Sequence, residues 1–127
     1  MGSNKLNLKK NIVLVDDNDI FNFIMKKLIQ NVDAEHNVHT FTYPEEAIDR
    51  LAEIKPDIIF LDLNMPILDG WDFLDGMQER NLNYKTYILS SSTSEVDIQR
   101  SAIYKNVTGY LTKPVAEEKL AEILQKD

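Results

Sequence analysis

Three aspartates, a serine and a lysine each follow a short apolar run, and a chemistry can be built from them. Asp16-Asp17 closes Ile12-Val13-Leu14-Val15, Asp62 closes Ile58-Ile59-Phe60-Leu61, Ser90 closes Thr86-Tyr87-Ile88-Leu89, and Thr112-Lys113-Pro114 follows Gly109-Tyr110-Leu111. If these runs are strands ending at one rim, three carboxylates share a pocket, and like charges a few ångström apart cannot all stay ionised without a cation. A hard dication answers that need. All-oxygen ligation suits Mg²⁺ or Mn²⁺, whereas Zn²⁺ wants nitrogen and sulfur ligands that this set lacks. Lys113 adds a point charge and Ser90 a hydroxyl, so that with the metal they can hold three phosphoryl oxygens while one aspartate attacks and forms an acyl phosphate. The residues alone leave open which aspartate attacks. Singly, each is an ordinary turn or helix-cap residue, and the weight lies in their convergence.

Convergence requires particular elements. The continuous apolar runs ending at Val15 and Leu61 have the pattern of central strands covered on both faces, Val38 to Tyr43 alternates as an edge strand does, and Thr86–Leu89 and Gly109–Leu111 complete five. Helical spacing fills the gaps. Ile20, Phe23, Ile24, Leu28 and Val32 recur at i, i+3, i+4 behind the cap residues Asn18 and Asp19, and Ala47, Ile48, Leu51 and Ala52 follow Pro44 with a capping-box spacing from Thr42 to Glu45. Further helices are predicted over Trp71–Arg80 after an Asp69-Gly70 turn, Glu95–Lys105 after the Ser90–Ser94 polar loop, and Ala116–Gln125. Strands alternating with helices predict an α/β fold, (βα)5 and doubly wound, whose five-stranded parallel sheet has the flavodoxin-like order 2-1-3-4-5 with helices on both faces. Ligands of such sheets sit beyond the carboxyl ends of the strands, near the reversal between strands one and three, where four of the five strand ends deliver a charged or hydroxyl group.

Composition narrows the partners. A chain of 127 residues holds one domain, and a net charge of −7 argues against nucleic acid or an anionic membrane as the main partner. Cysteine is absent, which excludes disulfides and thiolate chemistry. No apolar run approaches a membrane span of about 20 residues, and the start lacks a signal peptide, so a soluble cytoplasmic protein is expected. Residues 1–9 read as an N-terminal extension, with Met1-Gly2-Ser3 as a cloning remnant, and 10–127 as the folded domain. His36 and His39 read as surface histidines, and the four glycines form no phosphate-cradling loop.

Four motifs carry a resemblance: Val13-Leu14-Val15-Asp16-Asp17-Asn18, Asp62-Leu63-Asn64-Met65-Pro66-Ile67-Leu68-Asp69-Gly70, Leu89-Ser90-Ser91 and Gly109-Tyr110-Leu111-Thr112-Lys113-Pro114. In order and spacing, from Lys10 to Gln125, the chain resembles the receiver domain of two-component response regulators, the CheY-like family. That resemblance implies that Asp62 is the phosphoacceptor, that Asp17, Asp62 and the Asn64 main-chain carbonyl ligate Mg²⁺ with Asp16 acting through water, and that Lys113 and Ser90 contact the phosphoryl group. It further implies that Tyr110 is the aromatic switch residue, that the Lys113–Pro114 peptide is cis, and that Asn64 and Ser92 tune the phosphoryl lifetime. Ser91 stands where the family most often has alanine. The implied partners are a sensor histidine kinase or histidine phosphotransfer protein as donor, and a downstream protein reading the face of the fourth helix, fifth strand and fifth helix. The implied role is a signalling phosphoacceptor that assists its own phosphorylation and dephosphorylation. Absence of a linker after Gln125 favours a stand-alone receiver over a domain of a longer regulator or hybrid kinase. The alternative from another class is a Mg²⁺-dependent phosphatase with an aspartate nucleophile, but such enzymes commonly carry a second aspartate where this chain has Asn64, and a cap insertion where its loops are short.

Overall fold

A computed structural model describes residues 9–125, so the expected N-terminal extension lies, apart from Lys9, outside the described residues. The chain runs β1 (Asn11–Val15), α1 (Asp19–Val32), β2 (Asn37–Phe41), α2 (Pro44–Ile54), β3 (Ile58–Asp62), α3 (Gly70–Glu79), β4 (Thr86–Ser90), α4 (Glu95–Ser101), β5 (Val107–Thr112) and α5 (Glu117–Gln125). All strand pairs are parallel, in the order β2-β1-β3-β4-β5. The predicted topology is the observed one. Among the described residues no helix is long and apolar enough to cross a membrane.

The central strands β1, β3 and β4 are nearly all apolar because both their faces are covered. On one face Val13, Val15, Ile59, Leu61 and Ile88 pack against Ala47, Ile48 and Leu51 of α2 and Phe73, Leu74 and Met77 of α3. On the other, Ile12, Leu14, Ile58, Phe60 and Leu89 pack against Met25 and Ile29 of α1 and Leu120, Ile123 and Leu124 of α5. Each large side chain sealed this way contributes about 1.5–3 kcal/mol relative to exposure, and together they fix the strand ends that carry the polar residues.

Several local expectations are corrected. The buried stripe of α1 is Asn22, Met25 and Ile29, while Ile20, Phe23 and Ile24 are half or more exposed. Apolar residues lie on more than one side of this helix, so the spacing that identifies it does not select its inner face. The Thr42–Glu45 capping box is not formed: Pro44 takes the first helical turn, Tyr43 becomes the N-cap, and no side chain caps the end. A capping box does form at α3, where Asp69 and Asp72 exchange hydrogen bonds of 2.9 and 3.1 Å with each other's N–H groups. Helix α4 ends at Ser101, four residues short of Lys105, because tight turns from Ile103 to Arg100 and Tyr104 to Ser101 replace the helical pattern. Strand β2 ends at Phe41 rather than Tyr43, and β5 extends to Val107 and Thr112 on either side of its predicted run.

Strand β5 departs from regular pairing and packing at two adjacent residues. Thr86 pairs with Val107 but Tyr87 pairs with Gly109, which makes Thr108 an extra, bulged residue. Gly109 also lies under Tyr87: a Cβ there would come within 3.0 Å of the Tyr87 ring, which itself stacks on Phe60 at 5.8 Å.

His36 is not a surface histidine. It is buried at the start of β2, where its Nδ1 accepts the Lys10 N–H at 3.0 Å. Burial chiefly, with Lys10 adding to it, lowers its pKa below 6.5 against the opposing charges of Asp33 and Asp57. The imidazolium form would lose its acceptor nitrogen, so this contribution to stability is complete above about pH 6.5 and is lost as pH falls through the lowered value. Denaturant midpoints should therefore fall more on acidification from pH 7 to pH 5 in wild type than in His36→Gln.

Candidate functional site

The carboxyl ends of β1, β3, β4 and β5 converge as expected. Asp16 and Asp62 are buried, Asp17 is exposed, and one carboxylate oxygen from each of the three lies within 4.8 Å of the others. Lys113 reaches across from the end of β5, with Nζ 2.7 Å from Asp16 Oδ2 and 3.3 Å from Asp62 Oδ1. Its peptide bond to Pro114 is cis, as the resemblance implies.

Backbone bonds hold these groups in place. Asp16 Oδ1 accepts the Asn18 N–H at 2.9 Å, and Asn18 caps α1 by accepting the N–H groups of Ile20 and Phe21. The buried Asn22 side chain donates to the carbonyls of Asp16 and Phe41, tying the ends of β1 and β2. Asp62 Oδ1 accepts the Asn64 N–H at 3.3 Å. Gly70 opens α3 against the same segment, and a Cβ there would lie 2.7 Å from the Asp62 carbonyl oxygen, so only glycine lets the helix approach this closely. Between them, Ile67 sits at φ 71°, nearly fully exposed, in a three-residue turn closed by the Leu68 N–H on the Pro66 carbonyl at 2.7 Å. A β-branched residue in that region stores about 1–3 kcal/mol of strain. With Asp17, Asp19, Tyr43 and Glu45, Ile67 lines an open cleft of about 440 Å³ beside the acidic pocket.

The electrostatics separate the three aspartates. Burial, then the charge of Asp16, push Asp62 up to about 6, while Lys113 pulls it back. The repulsion expected among the carboxylates is thus expressed at Asp62, facing Asp16, and Lys113 partly answers it. Its own pKa is displaced upward, because its bonds to Asp16 and Asp62 outweigh the burial that opposes them.

Ser90 is sealed from solvent. Its Oγ accepts the Ser92 N–H at 3.0 Å, and its carbonyl accepts the Lys113 N–H at 2.9 Å. Tyr110, half-buried on the α2–α3 face of the sheet, donates its hydroxyl to the Ser92 carbonyl at 2.9 Å, and Ser92 Oγ donates to Asp97 on α4 at 3.1 Å. Ser92 therefore joins the pocket, the Tyr110 ring and α4. All of the sequence-predicted site residues lie at this rim. Two neighbours were missed: Asn22, a polar residue inside an apolar helix, which is a legible signal, and Phe21, whose ring centroid stands 4.3 Å from Lys113 Nζ with no signal in its spacing.

A family profile described as "Response regulator receiver domain" matches residues 12–125. The nitrate/nitrite response regulator NarL of Escherichia coli is 31% identical over 115 residues, which are 91% of this chain and 53% of that protein. The chain thus spans about half the length of this curated relative. Chemotaxis protein CheY of Listeria monocytogenes is 28% identical over 118 residues, covering 91% of this chain and 95% of its own length. Among solved structures, CheY4 of Vibrio cholerae superposes with a TM-score of 0.80 at 26% identity, covering 94% of this chain and 98% of that one. A two-component response regulator from Cytophaga hutchinsonii gives 0.79 at 26% identity over 94% of this chain and all of the other. Rim, sheet order and matched span agree, and the chain belongs to the response regulator receiver domain family.

Proposed function

We propose that this chain takes a phosphoryl group from a phosphohistidine donor onto Asp62 and passes the event to a partner-binding surface. The observation that carries the reading is Lys113 held between two buried carboxylates, 2.7 Å from Asp16 and 3.3 Å from Asp62, beside an exposed third. Burial and the charge of Asp16 raise the metal-free Asp62 carboxyl to about 6, so a cation bound beside it would favour the ionised form that can attack. The Asp62 oxygen attacks phosphorus in line as the phosphorus–nitrogen bond to the donor breaks, and the donor ring, protonated on its other nitrogen, leaves with the electron pair as neutral imidazole.

The donor set fits a hard divalent cation, Mg²⁺ with Mn²⁺ as substitute: Asp17, Asp62 and the Asn64 main-chain carbonyl would hold it, with Asp16 acting through water. When bound, the ion supplies positive charge to the carboxylates and the phosphoryl oxygens. Lys113 turns from Asp16 to one phosphoryl oxygen and Ser90 gives its hydroxyl to another. The Ser90 hydroxyl can donate while its oxygen still accepts the Ser92 N–H, so a shift of that oxygen toward the phosphoryl group is relayed through Ser92 to Tyr110 and Asp97. Tyr110 is accordingly the switch residue, and the face of α4, β5 and α5 the output.

The donor would be a sensor histidine kinase or phosphotransfer protein in the cytoplasm. The exposed Ile20, Phe23 and Ile24 of α1 offer such a protein an apolar contact next to the pocket. A signalling domain should take up one phosphoryl equivalent from acetyl phosphate in Mg²⁺ and stop, whereas steady hydrolysis of a chromogenic phosphate ester would establish the phosphatase instead.

A further inference from the structure

The ammonium group of Lys113 has three close neighbours: Asp16 Oδ2 at 2.7 Å, Asp62 Oδ1 at 3.3 Å, and the face of Phe21, whose centroid is 4.3 Å away. Phe21 belongs to the first turn of α1, and its own N–H is held by the Asn18 cap at 3.1 Å. The loop that presents Asp16 to the lysine therefore also presents the ring. Phe21 is half-buried against the α1–α5 cluster, while Ile20 and Phe23 on either side of it are largely exposed.

We propose that Phe21 is a positioning residue for phosphoryl transfer, its ring face holding the Lys113 ammonium group over the carboxylate pocket and limiting water's access to it. This rests on the reading of Lys113 as the phosphoryl contact. A lysine stem has four rotatable bonds and a strongly hydrated head, so without a retaining surface the head samples solvent. An aromatic face attracts a cation at this distance, and the attraction is greater where the pair is partly desolvated. It also makes no directional demand. When the lysine turns from Asp16 toward a phosphoryl oxygen the contact can persist, which a fixed hydrogen-bond acceptor in the same place would not allow. A leucine of similar bulk would fill the space and supply none of this.

The test compares Phe21→Leu with Phe21→Tyr, at saturating Mg²⁺ and well below each melting temperature. Two quantities are read: the initial rate of Asp62 labelling by acetyl phosphate, and the exchange of the Lys113 ammonium protons with water by ¹H–¹⁵N NMR. Phe21→Leu should label about fivefold more slowly, equivalent to about 1 kcal/mol, and its ammonium protons should exchange faster, with Mg²⁺ affinity unchanged. Phe21→Tyr should restore both. Wild-type rates and wild-type exchange in Phe21→Leu would overturn the proposal, and so would equal losses in both variants, which would reduce Phe21 to packing. If Lys113→Ala labels as fast as wild type, the reading of Lys113 as the phosphoryl contact fails and the proposal with it, and if wild type takes no label, the phosphotransfer reading itself fails; the exchange measurement still decides whether the ring holds the lysine.

Discussion

Asp62→Asn should take up no phosphoryl group from acetyl phosphate under conditions where the wild-type protein takes up one equivalent, a loss of about a hundredfold or more in initial rate. An amide cannot form the acyl phosphate. Neither neighbouring carboxylate is suited to replace it: Asp16 has Oδ1 engaged by the Asn18 N–H and Oδ2 by Lys113, and Asp17 is exposed and makes no ion pair with Lys113. The variant should remain folded, because it removes a charge that the pocket disfavours. Beryllofluoride with Mg²⁺ should shift amides from Thr93 to Leu120 in wild type and leave them unmoved in Asp62→Asn. Phosphate still bound to Asp62→Asn, located by mass spectrometry on another carboxylate, would overturn the assignment.

The second large effect is on stability, and its sign follows from Asp62. Its carboxyl is protonated in both folded and unfolded chains below about pH 4, so its contribution is complete there. As pH rises from its ordinary 3.8 through about 6, the ion forms more readily in the unfolded chain, and the metal-free fold loses stability. At full strength that is about 3 kcal/mol, and nearer 1–2 kcal/mol once screening at the open side of the pocket is allowed for. Asp62→Asn should not show the decline. Mg²⁺, binding only the folded chain, should return about 2.7 kcal/mol at a hundred times its Kd, or about 10 °C in melting temperature at pH 7. Asp17→Ala should abolish that gain with little change in metal-free stability, since Asp17 is exposed. A melting temperature indifferent to millimolar Mg²⁺ would exclude the acidic cluster as a cation site.

Much of this was legible in the residues because strand ends are. A buried parallel strand is a short apolar run, its last residue is where polarity returns, and the topology fixes which rim that is, so Asp16, Asp62, Ser90 and Lys113 could be grouped before any coordinates. What could not be read depends on contacts far apart in sequence. The inner face of α1 was obscured because Ile20, Phe23 and Ile24 are as apolar as Met25 and Ile29, and only docking on the sheet distinguishes them. His36 looked like a loop residue because its partner, the Lys10 N–H, is 26 positions away. Spacing could not choose the nucleophile either: Asp17 and Asp62 differ in burial, and burial is a property of the whole fold.

The bulge in β5 sets the parity of everything after it. Val107 and Tyr110 face the same core cluster although they are three positions apart, and Leu111 faces the other; Thr108 absorbs the odd step. The strand's beginning is anchored separately, by Asn106 side-chain bonds to Tyr84 and Thr86. Loss of the single codon for Thr108 would leave Gly109 opposite Tyr87 and Tyr110 opposite Ile88, so the strand would regain strict alternation and Lys113 would stay at the pocket it neutralises. Substitution or deletion of the exposed Thr108 should therefore be tolerated, whereas loss of the Gly109 codon would bring Thr108 opposite Tyr87, where even a methyl group is crowded; glycine at this one place, more than the length of the segment, is what inheritance must preserve.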